Sequence, residues 1–179
     1  MPISFPNEKE LIEAINNREV CLLLGAGFTY GLRNIAGGKF KSAGELAGKI
    51  QKDLFPTWSE SDQKNFNSLD KIISESIKQN KKEQLSELLK SELSIREEDL
   101  DIDYKLLAVP NWCRVYTLNV DNTLELIFRN NTLPLTQYKF PQSLEFHDRS
   151  NFHETQAIYL HGKLPCDIEN ELVSLLNLT

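Results

Sequence analysis

The sequence is poor in cysteine, confines its glycine to one stretch, and carries no excess of basic charge. Its three cysteines, Cys21, Cys113 and Cys166, are odd in number and widely spaced. No CxxC pair occurs, which excludes a zinc ribbon and gives no basis for a disulfide framework. We expect a reducing, cytoplasmic compartment. Twenty basic residues against 26 acidic ones give a net charge of −6. That lacks the basic footprint of a nucleic-acid-binding domain, and the short cluster Lys78, Lys81, Lys82 reads as a solvated face. No window approaches the roughly 18 apolar residues of a membrane span. The first ten residues, MPISFPNEKE, hold neither a basic start nor an apolar signal core, so no secretory signal is expected. No GxSxG nucleophile elbow is present. Metal-ligand spacings of His, Cys and carboxylates are also missing, and no metal is expected.

What is there suits one ordinary domain. The chain has 179 residues, 40% hydrophobic and 26% charged, long enough to bury a core without staples. Asn7 followed by Glu10 suggests a capping box, with Leu11, Ile12 and Ile15 as one apolar helix face. The run VCLLL at residues 20–24 suits a parallel strand buried on both faces. Ser42 and Glu45 form a second capping box, starting a helix through about Lys52. Residues 59–103 are charged and glycine-free, with stripes Leu69, Ile72, Ile73, Ile77 and Leu85, Leu88, Leu89. They predict a helical insert of two amphipathic helices broken near Asn80. Trp58 and Trp112 are expected to pack. Further strands are predicted at RVYTL (114–118), at 133–138 and at AIYL (157–160), with a helix between Asp121 and Phe128. Alternating strands and helices predict an α/β fold: a Rossmann-like parallel sheet with flanking helices.

Seven of the eight glycines lie between Gly25 and Gly48, and glycine gathers where backbone turns tightly or meets a ligand. Three polar clusters each follow a predicted strand: Gly25-Ala26-Gly27-Phe28-Thr29, Asn119-Val120-Asp121, and His161-Gly162. The C-terminal edge of an open parallel sheet is where ligands bind; if the three strands are neighbours, the clusters share one crevice. The first offers backbone N–H groups to an anion, or is simply a tight strand-to-helix turn. It fails the GxGxxG pattern, since Tyr30 holds the third glycine position and Gly31 comes one late; the usual hydride-transfer dinucleotide fold is disfavoured. Asn119 can hold a sugar hydroxyl or a water, or merely turn the chain. Asp121 can accept from a carboxamide, or merely cap a helix. His161 has the chemistry of a general base near neutral pH, although a lone histidine is more often structural. His147 and His153 read as surface residues.

Together, LLLGAGFTYG (22–31), VYTLNVDNTLE (115–125) and IYLHGKL (158–164) resemble a sirtuin-type domain. The motifs occur in the family's order, with 42 positions between Asn119 and His161. Residues 59–103 match nothing specific in it. The resemblance implies an NAD-binding α/β domain with a helical module. It would place Gly25, Ala26, Gly27, Phe28 and Thr29 around NAD, with its phosphates on Gly25, Ala26, Gly27 and Thr29. Asn119 would orient the ribose and the attacking water, Asp121 would meet the nicotinamide carboxamide, and His161 would be the general base. Protein-deacylating sirtuins have a glutamine where this chain has Leu118. They also carry a four-cysteine zinc ribbon and a proline-aspartate-phenylalanine-arginine stretch, and both are absent here. In GAGFT, TLNVDN and LHG the chain is more similar to the NAD-hydrolysing sirtuin-like effector domains of prokaryotic antiviral defence.

The resulting expectation is a single sirtuin-like domain over 1–179 that hydrolyses NAD. It would belong to the N-terminal part of a longer protein, as a homo-oligomer or with a sensor domain or partner. A non-catalytic NAD or ADP-ribose sensor is the alternative, and protein deacylation the third reading. Only 18 residues follow His161; relatives continue with further strands and an adenosine-side loop. Residues 166–179 predict a short helix with Leu172, Leu175 and Leu176 on its apolar face.

Overall fold

Four short apolar runs become parallel strands: β1 (Cys21–Leu24), β2 (Arg114–Thr117), β3 (Leu135–Lys139) and β4 (Thr155–Tyr159). The structure, a computed structural model, describes residues 7–139, 154–161 and 163. The strands form one all-parallel sheet in the order β1-β2-β4-β3. With its flanking helices the chain is an α/β protein with a Rossmann-like fold. Gly162, His147, His153 and the helix expected at 166–179 lie outside the described residues. Among the described residues no helix is long and apolar enough to cross a membrane.

The strand period of two sets what each face buries. Leu24, Val115, Ala157 and Tyr159 point into the main core, where they meet Leu124, Ile127 and Phe128 of α7 (Thr123–Asn130). The opposite face of β1 is different. The run 20–24 suggested burial on both faces, but Leu23 is 65% exposed and Cys21 is exposed as well. A strand face is buried by what packs across it, and the helix leading into β1, Glu8–Asn16, buries none of its own residues; β1 is also the edge strand of the described sheet, paired with β2 alone.

Helix α1 (Glu8–Asn16) forms, but not by the expected cap. Asn7 sits at φ 73° and its side chain makes no capping bond. A capping residue needs extended backbone to aim its oxygen at the first turn; left-handed backbone turns it away. Leu11 and Ile12 remain about half exposed.

A second core lies between β1 and β2 in sequence. Helices α2 (Ala43–Leu54), α4 (Leu69–Lys78) and α5 (Lys82–Glu92) bury Leu46, Ile50, Ile72, Ile73, Leu85 and Leu89 against one another. The short α3 (Glu60–Asn65) lies between α2 and α4, and α6 (Ile102–Lys105) follows α5. The helical lobe thus includes α2 as well as the region 59–103. Its local signals behave as their chemistry requires. Ser42 and Glu45 complete a reciprocal capping box. The break at Asn80 is a Schellman motif: Asn80 takes φ 56°, Lys81 N–H reaches Ser76 C=O at 2.8 Å, and Asn80 N–H reaches Ile77 C=O at 3.0 Å. Asn tolerates this left-handed position better than most residues. Trp58 stacks on Phe55 at 4.0 Å, and Trp112 packs while its indole N–H bonds Leu107 C=O at 2.7 Å.

Asn122, beside the sheet edge, bonds the backbone that follows α5. Asn122 accepts from Ile95 N–H at 2.9 Å and donates to Ile95 C=O at 3.2 Å. The pair reproduces a strand-like exchange with a single amide. Asn122→Ala is therefore expected to lower the unfolding free energy by about 2–3 kcal/mol, since both backbone groups lose their partner. Urea denaturation checks it; a change below about 0.5 kcal/mol, the size of an ordinary surface substitution, would contradict the clamp.

Candidate functional site

Parallel register aligns the ends of the three motif-bearing strands. Leu24 pairs with Thr117, and Thr117 with Tyr159. Two further bonds carry the ladder past the strands: Leu118 N–H to Leu24 C=O and Leu160 N–H to Thr117 C=O, both 2.9 Å. The three polar clusters therefore leave adjacent strands at one level, on the sheet's C-terminal edge.

After β1 the backbone turns at once. Gly25 is extended and Ala26–Phe28 make a single 3-10 turn, closed by Phe28 N–H to Gly25 C=O at 2.9 Å. Among the described residues, a Cβ at Gly25 or Gly27 would meet nothing within 4 Å. Packing within the chain does not demand glycine there; the open space suits a ligand approaching the backbone. Gly31 is another case. Its φ of +93° is a conformation L side chains rarely adopt, so the glycine that comes one late serves the turn. Phe28 turns toward the core and meets Tyr104 edge-to-face at 5.3 Å. Its contribution is to anchor the loop.

A cavity of about 330 Å³ opens beside this loop, lined by Ala26, Gly27, Thr29, Asn119 and Asp121 among others. That is the small end of the range for small-molecule sites. Its far wall comes from the helical lobe and its approach: Lys41, Ser42 and Leu46. Two of the three clusters thus face one space. Gly25 and Phe28 do not line it, and neither does His161, which stands half-buried at the same sheet edge. Two positions beyond His161, Lys163 is a buried lysine that pairs with Glu125 and bonds Gln137 at 2.5 Å.

Asn119 and Asp121 differ in how they are satisfied. Asn119 N–H donates to Thr117 Oγ1 at 3.0 Å, which orients the residue. Its side-chain Nδ2 is buried and finds no acceptor among the described residues. Orphaned buried donors are rare, because each forfeits its hydration. Asp121 is only 5% exposed. Its Oδ1 accepts from Thr123 N–H at 3.0 Å while it lines the cavity; the N-cap position of α7 belongs to Asn122, whose side chain makes no capping bond, so Asp121 steadies the first N–H from one residue earlier. Burial pushes its carboxyl above the usual carboxylate range, against the opposing bonds from Thr123 and the Thr29 hydroxyl.

Sequence reasoning missed the polar group behind the far wall. Asn34 Nδ2 donates to the Glu92 carboxylate at 2.8 Å, and Lys41 Nζ bonds the same oxygen at 2.7 Å. Glu92 is 58 residues from Asn34, and no local pattern relates the two. A scan of the chain against models of known protein families finds no match, and a search of curated proteins finds none either.

The raised Asp121 carboxyl has a consequence for pH. Its folded-state pKa lies above the unfolded value, so its contribution to stability is greatest below the ordinary Asp pKa near about 3.9. That contribution is lost as pH rises through the elevated value. Asp121→Asn keeps an acceptor for Thr123 N–H and removes the charge. It is expected to raise the melting temperature at pH 7 and to lose that advantage toward pH 4. An advantage of equal size at both pH values would contradict the assignment.

Proposed function

We propose that the protein is a sirtuin-like NAD glycohydrolase that cleaves NAD to nicotinamide and ADP-ribose, and that it serves as an NAD-depleting effector of antiphage defence. The observation that carries the reading is the orphaned Asn119 amide, buried beside the open backbone of Gly27 in a cavity at the C-terminal sheet edge. An amide donor with no acceptor suits a ribose hydroxyl or a water. Neighbouring backbone with space for a Cβ suits a pyrophosphate. The three sirtuin-like motifs name the substrate; the defence role rests on that resemblance alone.

The chemistry asks little of the protein. The nicotinamide ring of NAD is a cation. When its bond to the ribose C1′ breaks, the electron pair moves to the ring nitrogen and a neutral nicotinamide leaves, with no acid needed. Positive charge passes to an oxocarbenium-like sugar, as in other glycosidic cleavages. Water adds at C1′ and gives up one proton, so NAD and water become ADP-ribose, nicotinamide and a proton. Asn119 orients the ribose or the water, His161 takes the proton, and Asp121 meets the carboxamide.

The alternative is an NAD or ADP-ribose binding module without turnover. The position of His161 outside the cavity lining favours it. Nicotinamide release from NAD separates the two. The hydrolase reading expects release that falls at least about 100-fold in Asn119→Ala and His161→Ala, the scale on which positioned acid–base groups act. Gly27→Ala is expected to keep its melting temperature, since its Cβ has space, while losing activity. Full activity in both Asn119→Ala and His161→Ala would contradict the reading. Binding of NAD without release would leave the sensor.

A further inference from the structure

We propose that Lys41 is the cationic hold for the substrate's phosphates, and that Glu92 and Asn34 set it in place. The inference rests on the NAD reading above and adds a binding residue that no motif contains. Among the described residues, Lys41 is the one cationic side chain lining the cavity, whose other ionisable wall residues are Asp121 and Tyr30. The whole chain is acidic, at −6. A dinucleotide brings two phosphate charges into this space. Backbone amides meet them as neutral donors, and an ammonium at the opposite wall adds charge-assisted hydrogen bonds.

The lysine is also built into position. Glu92, at the end of α5, is 4% exposed, and a buried carboxylate must be paired and bonded. It accepts from Lys41 at 2.7 Å and from Asn34 at 2.8 Å. Asn34 is itself held: its Nδ2 also reaches Glu92 C=O at 3.2 Å, and its Oδ1 accepts from Gly38 N–H at 2.9 Å. The carboxylate is thus fixed from the buried side by an amide, and the ammonium occupies the cavity side. Lys41 keeps 27% of its side chain exposed. An ammonium has three donors and Glu92 takes one, leaving two directions for phosphate oxygens. Glu92 thereby preorganises a flexible side chain that would otherwise lose rotamer freedom on binding.

Calorimetric titration with ADP-ribose tests this, on the unmodified chain, Lys41→Met and Lys41→Arg, with thermal melts of each. ADP-ribose keeps both phosphates and needs no turnover. Lys41→Met is expected to weaken binding by about tenfold or more and to flatten its salt dependence, while Lys41→Arg keeps most of the affinity. Unchanged affinity in Lys41→Met would overturn the proposal. So would equal losses in both variants with lowered melting temperatures, which would make Lys41 only the partner of Glu92. If the unmodified chain binds ADP-ribose through Lys41 yet releases no nicotinamide from NAD, hydrolysis fails and this assignment stands. If it does not bind ADP-ribose, both fall.

Discussion

The register of three parallel strands is the constraint on which the candidate site depends. Leu24, Thr117 and Tyr159 stand in one row of the ladder, so the residues that follow them emerge side by side. Neither the glycine loop nor the Asn119-Val120-Asp121 turn is a site alone. The first is a 3-10 turn at the end of β1, and the second a short strand-to-helix connection into α7. A shift of one residue in either pairing would turn every side chain of that strand to the other face, exposing Val115 or Ala157 and separating the loops. Burial of the core and assembly of the cavity are therefore one event.

The helical lobe supplies what the sheet edge lacks. Its own core, centred on Leu46, Ile50, Ile72 and Leu85, lets it stand as a rigid wall opposite the glycine loop. Two polar links hold it there. Asn122 reaches from the start of α7 to the backbone of Ile95. Asn34 and Lys41, on the segment between the glycine loop and α2, converge on Glu92. Around the cavity, desolvation of polar groups is answered with differing completeness. Glu92 has its partners; Asp121 has donors but an elevated carboxyl pKa; the Asn119 amide has no acceptor among the described residues. A polar group left unsatisfied at a concave surface is where a ligand has most to contribute.

Local chemistry was legible in the sequence; long-range pairing was not. The Ser42–Glu45 box, the break at Asn80 and the strands at RVYT and AIY follow from patterns within a few residues, and the structure bears each out. The adjacency of the three motif-bearing strands stood only as a condition, and the sheet order meets it. The two failures near the N-terminus share a cause. Whether Asn7 caps depends on its backbone angle, and whether β1 is buried on both faces depends on what packs across the sheet. Side-chain pattern reports neither. Phe28 belonged to a loop motif but packs against Tyr104, 76 positions away in the sequence. Lys41, Asn34 and Glu92 were invisible because their association spans about a third of the chain.

The central claim is that the level strand ends make a nucleotide-binding edge, and amide chemical-shift mapping with NAD tests it most directly. The account predicts the largest shifts at the amides of Gly25 to Thr29 and of Asn119 to Asp121, with smaller ones at Lys41 and Ser42 across the cavity. Saturable shifts confined to these segments would support it. Shifts centred on another surface, or none at NAD concentrations well above those of cells, would contradict it.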